Sequence, residues 1–130
     1  MNYDFLVAVL ATAVVAGTPI LYAALGEIVC ERAGILNLGV EGMMLVGAVT
    51  GFIAALSTGN PWAGVLMALL AGGAMASIHA FLTVSLKANQ VVSGLALTLF
   101  GTGLSAYIGK AYIGMPLPNP FRPVEVPVLS

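Results

Sequence analysis

The sequence predicts an all-α, polytopic membrane protein with about four transmembrane helices, one of them a candidate for interruption. Three tracts, residues 5–25, 42–86 and 88–109, contain no Asp, Glu, Lys or Arg. Hydrophobic residues make up 60% of the 130 residues and charged residues only 7%, whereas water-soluble chains carry about 25% charged residues. A soluble domain of this length could not bury three such tracts, so we expect lipid to surround most of these side chains.

Composition also excludes several classes of function. The net charge of -1 offers no basic patch for nucleic acid. Cys30 is the single cysteine, which excludes an internal disulfide and any site built from several cysteines. The sequence has no nucleophile and base set, no glycine-rich phosphate loop and no cluster of metal ligands. We therefore expect neither an enzyme nor a bound cofactor or metal.

Residues 5–25 form the first predicted span. At about 1.5 Å per residue this run reaches about 31 Å, which matches a hydrocarbon core about 30 Å thick. Asp4 is the only charged residue before it, whereas a cleaved signal peptide begins with positive charge. We therefore expect the segment to remain in the protein.

Charged residues mark one boundary of the membrane. The first helix is expected to continue past residue 25 and to stop at Gly34, with Glu27 and Glu31 one turn apart. Arg32 follows Glu31 directly, and antiparallel spans bring Lys87 to the same side. We expect these four charged residues to lie near the lipid headgroups. The two sides carry equal numbers of Lys and Arg, so charge alone does not assign the compartment.

The second predicted span, residues 35–57, carries Asn37 and Glu41, which would share one helical face because they are four residues apart. A carboxylate at membrane depth costs about 2.5 kcal/mol or more on insertion scales, so it should face protein or water. Gly39 and Gly42 would let the helix break here or let a neighbouring helix come close, and broken helices at membrane depth typically line a substrate path. We expect this face to border a translocation pathway or a moving helix interface. The alternative is that Glu41 lies at the membrane boundary and braces a neighbouring helix.

A turn separates the second span from the third, residues 61–86. Gly59 suits a helix end, Asn60 an N-cap and Pro61 the first helical position. His79 lies deep in this span, and no second histidine or carboxylate stands at metal-ligand spacing from it. A proton relay, a solute contact and a hydrogen-bonded packing histidine all fit this position, and we favour the packing histidine.

The fourth predicted span covers residues 91–109, with Asn89 as its N-cap. Residues 110–130 follow and include five prolines between positions 115 and 128, so they are expected to form a loop outside the bilayer. This loop should lie at the same end as the turn at Asn60.

Small residues four positions apart allow helix backbones to approach closely. We interpret these spacings mainly as packing within one subunit, with a subunit interface as the alternative. The pairs are Gly47/Gly51, Gly72/Ala76, Gly73/Ser77 and Gly101/Ser105.

Two stretches of the chain carry a family resemblance. Residues 24–48, ALGEIVCERAGILNLGVEGMMLVGA, and above all residues 31–42 within them, resemble the permease subunits of ATP-binding-cassette importers for simple sugars and nucleosides. Related permeases serve ribose and branched-chain amino acids. Residues 88–105, ANQVVSGLALTLFGTGLS, are similar to a region where this family has a short cytoplasmic turn entering the next helix.

The resemblance implies a function and a set of partners. Such permeases pair as homodimers or heterodimers in the cell inner membrane, with a cytoplasmic ATPase subunit and an extracytoplasmic substrate-binding protein. The side with Arg32 and Lys87 would be cytoplasmic, and residues 110–130 would be extracytoplasmic. These permeases are usually about twice this length or more, so we expect the N-terminal part of a longer permease, unable to transport by itself. Its solute would be a nucleoside or a simple sugar, moved by alternating access.

Two other functions compete with this interpretation. One is a small proton-coupled multidrug exporter, in which four helices dimerise and Glu41 exchanges protons for a cationic drug. The other is a membrane scaffold that only packs against partner helices. Copurification of an ATPase subunit would favour the permease over both.

Overall fold

The computed structural model describes residues 3–122, which form long helices and no strand. Four of the helices are long and apolar enough to cross a membrane. This confirms the predicted all-α membrane architecture. Residues 123–130, the last part of the predicted Pro-rich loop, lie outside the described residues. The helices are α1 (Tyr3–Arg32), α2 (Val40–Thr58), α3 (Pro61–Ala80) continued by a π-helical turn (Phe81–Ser85), and α4 (Gln90–Gly109) continued by a 3-10 turn (Lys110–Tyr112).

The end of α1 is set by a glycine. Gly34 adopts a left-handed conformation with φ of 82°, which glycine tolerates because it has no Cβ. The backbone N–H of Ile35 donates to the carbonyl of Cys30 at 2.9 Å, and that of Gly34 donates to Glu31 at 2.9 Å. This pair of bonds is a Schellman motif, and it confirms the predicted stop of the first helix.

The turn between α2 and α3 also follows its sequence signals. Gly59 is left-handed with φ of 66°, and α3 has Pro61 in its first turn. The side chain of Asn60 accepts a hydrogen bond from the backbone N–H of Trp62 at 3.0 Å. At the start of α4 the side chain of Asn89 accepts one from the next turn in the same way. Both predicted N-caps are confirmed.

Helix α2 is the centre of the bundle and packs against α3 and α4. Its contacts run through small residues: a Cβ atom on Gly51 would lie 2.9 Å from the carbonyl oxygen of Gly64, and one on Gly47 would lie 3.2 Å from that of Ala68. The predicted close packing is therefore confirmed for these two glycines, whereas a Cβ on Gly73 would meet nothing within 4 Å. A cluster of buried apolar side chains joins the three helices: Met43, Val46, Met75 and Leu97.

Each end of the bundle is held by contacts between segments that are far apart in sequence. At one end Gln90, in the first turn of α4, hydrogen-bonds to the connection between α1 and α2. At the other end the amide of Asn119 donates to the carbonyl of Gly59 at 3.1 Å, and the rings of Trp62 and Phe121 meet edge to face with centroids 5.1 Å apart. The described part of the Pro-rich region thus lies beside the α2–α3 turn, as predicted.

One expectation about the second span is wrong. The α-helix begins at Val40, and the residues before it are not helical, so Asn37 and Glu41 do not share a helical face. The reason is local: the Schellman motif turns the chain at Gly34, and the Asn37 side chain then accepts the backbone N–H of Gly39 at 3.1 Å. Such a bond offers the backbone an alternative to the helix.

Candidate functional site

The connection between α1 and α2, residues 33–39, is a non-helical stretch that lies against α1, α3 and α4, and we call it the connecting segment. From Leu36 onward its backbone leaves the hydrogen-bond pattern of α1, and backbone N–H and C=O groups inside a protein need other partners. Side chains from α1, α3 and α4 supply them. The candidate site is therefore a piece of backbone held by polar side chains at one end of an apolar bundle.

Gln90 holds two points of the connecting segment. Its Oε1 accepts the backbone N–H of Leu36 at 2.7 Å, and its Nε2 donates to the carbonyl oxygen of Gly34 at 3.2 Å. A side-chain amide offers both a donor and an acceptor, so one residue can replace two missing backbone bonds. Sequence analysis did not identify Gln90 as a partner of this segment.

His79 holds a second carbonyl of the connecting segment, that of Leu36. The side chain is only 3% exposed. Its Nε2 lies 3.2 Å from the carbonyl oxygen of Leu36, and its Nδ1 lies 3.2 Å from Oγ of Ser93 on α4. A carbonyl oxygen can only accept, so Nε2 carries a hydrogen; in a neutral ring Nδ1 then accepts from the Ser93 hydroxyl. The Thr83 hydroxyl donates to the backbone carbonyl of His79 at 2.8 Å.

Glu27 holds the segment from the side of α1. Its Oε1 accepts the backbone N–H of Asn37 at 2.9 Å. Its Oε2 is buried and has no hydrogen-bond partner among the residues described. The other predicted boundary residues, Glu31, Arg32 and Lys87, are exposed. Glu27 thus differs from these three residues in being half-buried and hydrogen-bonded to the connecting segment.

Asn37 shapes the start of α2 from within. The residue is 8% exposed, and its amide group donates to the sulfur of Met43 at 3.7 Å. Its Oδ1 holds Gly39, as described above. Because both polar atoms of its side chain are used inside the bundle, the Asn37 side chain fixes the backbone at the start of α2.

Glu41, unlike Asn37, is exposed. It lies in the first turn of α2 and its side chain is exposed, whereas the adjacent Gly42 is buried against the backbone of Leu97 and Thr98 on α4. A Cβ atom on Gly39 would lie 3.2 Å from the Leu97 side chain. The two glycines therefore pack against α4, and Glu41 projects away from that contact.

The face of α4 that meets the connecting segment has a periodicity that could have revealed it. The Thr98 hydroxyl donates to the carbonyl of Leu38 at 2.7 Å, and a Cβ atom on Gly94 would lie 2.9 Å from Leu38. Small and polar residues recur along this face at helical spacing, and no apolar residue except Leu97 interrupts them. The stripe comprises Gln90, Ser93, Gly94, Leu97, Thr98 and Gly101.

No group of three or more His, Cys, Asp or Glu within residues 3–122 could hold a metal ion. A groove of about 590 Å³ runs between α1, α2 and α3, and its lining is apolar and includes Tyr22, Met44 and Leu69. None of the predicted pathway residues lines it. The polar site can hold a backbone segment in place through hydrogen bonds from side chains.

Comparison with known proteins gives consistent matches. A family model described as "Branched-chain amino acid transport system / permease component" matches residues 9–121. The chain is 52% identical over 110 residues to a Haloferax volcanii protein whose name gives it, provisionally, as a glucose ABC transporter permease; the match covers 85% of this chain and 33% of that protein. It is 34% identical over 122 residues to the guanosine ABC transporter permease of Bacillus subtilis, covering 86% and 38% of the two chains.

A third relative is the nucleoside ABC transporter permease of Lactococcus lactis, 33% identical over 110 residues, with 80% of this chain and 35% of that protein covered. The chain thus spans about a third of the length of the curated relatives it matches. No solved structure matches it. The matches confirm the resemblance seen in residues 24–48 and 88–105, and they give no support to the multidrug exporter.

Proposed function

The chain belongs to the family of branched-chain amino acid transport system permease components, and from that membership we propose that it forms part of the translocation pathway of an ATP-driven importer for a nucleoside or a simple sugar. The observation that carries the proposal is the family match over residues 9–121. The solute classes come from relatives named for glucose, guanosine and nucleosides. Four helices able to cross a membrane support a multi-pass integral membrane protein.

The importer needs further subunits. A cytoplasmic ATPase subunit hydrolyses ATP, a second permease subunit completes the pathway, and an extracytoplasmic substrate-binding protein delivers the solute. ATP binding and hydrolysis shift the paired permeases between outward and inward states, because nucleotide binds the two states with different affinity. In this arrangement the end with Arg32 and Lys87 is cytoplasmic, and the Pro-rich region beside the α2–α3 turn faces the binding protein.

Within this chain, Glu41 is the side chain proposed to border the pathway. Its carboxylate is exposed in the first turn of α2, and an ionisable group within the membrane is unfavourable when it faces lipid. A carboxylate is more stable beside protein or water than beside lipid. The non-helical connecting segment that precedes it is of the kind that membrane proteins tolerate only inside protein or beside a cavity. Asn37, Gly39 and Gly42 are proposed to set the position of Glu41 from the inner side of α2.

The test is transport by the complete importer. The full-length permease that contains this chain is reconstituted in liposomes with its ATPase and binding protein, and uptake of radiolabelled guanosine and glucose is measured with and without ATP. We expect ATP-dependent uptake of one of these solutes. ATP hydrolysis by an intact complex without uptake of any nucleoside or simple sugar would contradict the proposal.

A further inference from the structure

The connecting segment lies between two parts of the molecule that are packed very differently. On one side is α1, none of whose residues is buried. On the other side are α2, α3 and α4, which share the buried core. Glu27 holds the segment from α1, while Gln90, His79 and Thr98 hold it from α3 and α4. The position of the segment therefore depends on which of these side-chain bonds persist.

His79 is the most deeply buried of these side chains. It is almost fully buried, and each of its ring nitrogens has a single partner. Removing the Nε2 donor would leave the carbonyl of Leu36 without that partner, and a buried polar group without a partner is unfavourable. Ser93 contributes indirectly, because its hydroxyl is the partner of Nδ1 and so helps to hold the ring in the orientation that directs Nε2 at the Leu36 carbonyl. The ring joins α3, α4 and the connecting segment at one point.

We propose that His79 is a positioning residue of the transport cycle, one that fixes the connecting segment through the carbonyl of Leu36 and thereby sets the first turn of α2 with Glu41. This inference rests on the proposed function and extends it to a residue that does not contact the solute. His79 acts only through Leu36, since its other nitrogen is occupied by Ser93. Its loss should therefore slow the maximal rate of uptake and leave the solute concentration at half-maximal rate unchanged.

The atoms of the ring suggest a matched pair of variants. In His79→Gln the side-chain amide nitrogen reaches about as far as Nε2 and can still donate to Leu36. In His79→Asn the side chain is shorter, remains polar and cannot reach that carbonyl. Both variants are made in the full-length permease and assembled with the ATPase and binding protein, and uptake is expressed per assembled complex.

We expect His79→Gln to transport at close to the unmodified rate and His79→Asn to lose about five-fold in maximal rate, the effect of one net hydrogen bond. Equal maximal rates in the two variants would overturn the proposal, as would a change confined to the half-saturating concentration. If His79→Asn fails to assemble, Ser93→Ala takes its place: we expect a reduced maximal rate, and an unchanged one would overturn the proposal.

A second readout does not depend on transport. Leu38, in the connecting segment, is 40% exposed, so Leu38→Cys in a cysteine-free background with Cys30→Ala reports the position of the segment by its rate of reaction with a maleimide. We expect faster labelling with His79→Asn than with His79→Gln, and equal labelling would overturn the proposal. If the unmodified complex transports no nucleoside or sugar, the proposed function fails, and the labelling rates still decide the role of His79.

Discussion

Gly42 on α2 and Gly101 on α4 bring two helix backbones into direct contact: a Cβ atom on Gly101 would lie 2.5 Å from the carbonyl oxygen of Gly42. No side chain fits between them, so the crossing depends on the absence of both Cβ atoms. This contact fixes the first turns of α2 against α4, next to the connecting segment. Sequence analysis placed Gly101 in a small-residue spacing and interpreted Gly42 as a point where the helix breaks or a neighbour comes close; the structure shows the close approach.

The first prediction concerns this crossing. Gly101→Ala should destabilise the protein by about 1–3 kcal/mol, because overpacking of a tight contact forces the backbones apart. Gly103→Ala is the matched control, since a Cβ there would meet nothing within 4 Å. Thermal unfolding of the detergent-solubilised protein, followed by circular dichroism, measures both. A Gly101→Ala variant as stable as the Gly103→Ala variant would show that α2 and α4 cross elsewhere.

The second prediction concerns the buried carboxylate of Glu27. Glu27→Gln keeps an oxygen for the backbone N–H of Asn37 and removes a charge whose second oxygen has no partner in the described chain. It should be neutral or stabilising. Glu27→Leu leaves that N–H unpaired and should cost about 1–3 kcal/mol. The unfolding temperatures of both variants and of the unmodified protein are compared in the same detergent, and a value for Glu27→Gln well below that of the unmodified protein would contradict the prediction.

A third prediction tests Glu41 in transport. Glu41→Gln in the complete importer should reduce uptake several-fold and leave the unfolding temperature unchanged, because the side chain is exposed and makes no hydrogen bond within residues 3–122. Glu31→Gln, also exposed but at the end of α1, is the control and should transport normally. Normal uptake by Glu41→Gln would remove this carboxylate from the pathway.

Asn37 gives the complementary fourth prediction. Asn37→Ala removes the acceptor for the Gly39 N–H and the donor to Met43, so it should lower stability by about 1 kcal/mol, as the loss of a helix cap does. Any loss of uptake should then follow the loss of folded complex. Uptake per folded complex is the quantity to measure, and a marked decrease at full stability would place Asn37 in contact with the solute.

A fifth prediction concerns the Pro-rich region. Phe121→Ala removes the edge-to-face contact with Trp62, worth about 0.5–1.5 kcal/mol. Because Trp62 is the single tryptophan of these 130 residues, its fluorescence reports the contact directly. We expect increased quenching by acrylamide, with Ile113→Ala as the control at an exposed position of the same region. Unchanged quenching would mean that the region does not cover the α2–α3 turn in solution.

The helix ends were predictable because their causes are local. Gly34, Gly59, Asn60 and Asn89 each act on backbone groups within a few residues, and the structure places all of them as their residue types indicate. Family membership was equally accessible, because residues 31–42 carry it in one uninterrupted block.

The start of α2 was not predictable in the same way. The hydrogen bonds that permit a non-helical stretch come from Gln90 and His79, which are 54 and 43 residues away from Leu36 in sequence. Hydropathy and the four-residue spacing of Asn37 and Glu41 contain no information about such partners, so these two residues were wrongly given one face. The polar and small stripe on α4 was the available sign, but its partner could be identified only once the helices were packed.

The distance along the chain between the connecting segment and its partners also has a consequence for biosynthesis. Residues 33–39 leave the ribosome well before Gln90 and Thr98 do, and N-terminal parts of a chain generally begin to fold first. Until α4 has entered the membrane, the carbonyl of Leu38 and the N–H of Leu36 lack the side chains that complete them. The hairpin of α1 and α2 therefore reaches its final geometry only after the fourth helix has been inserted.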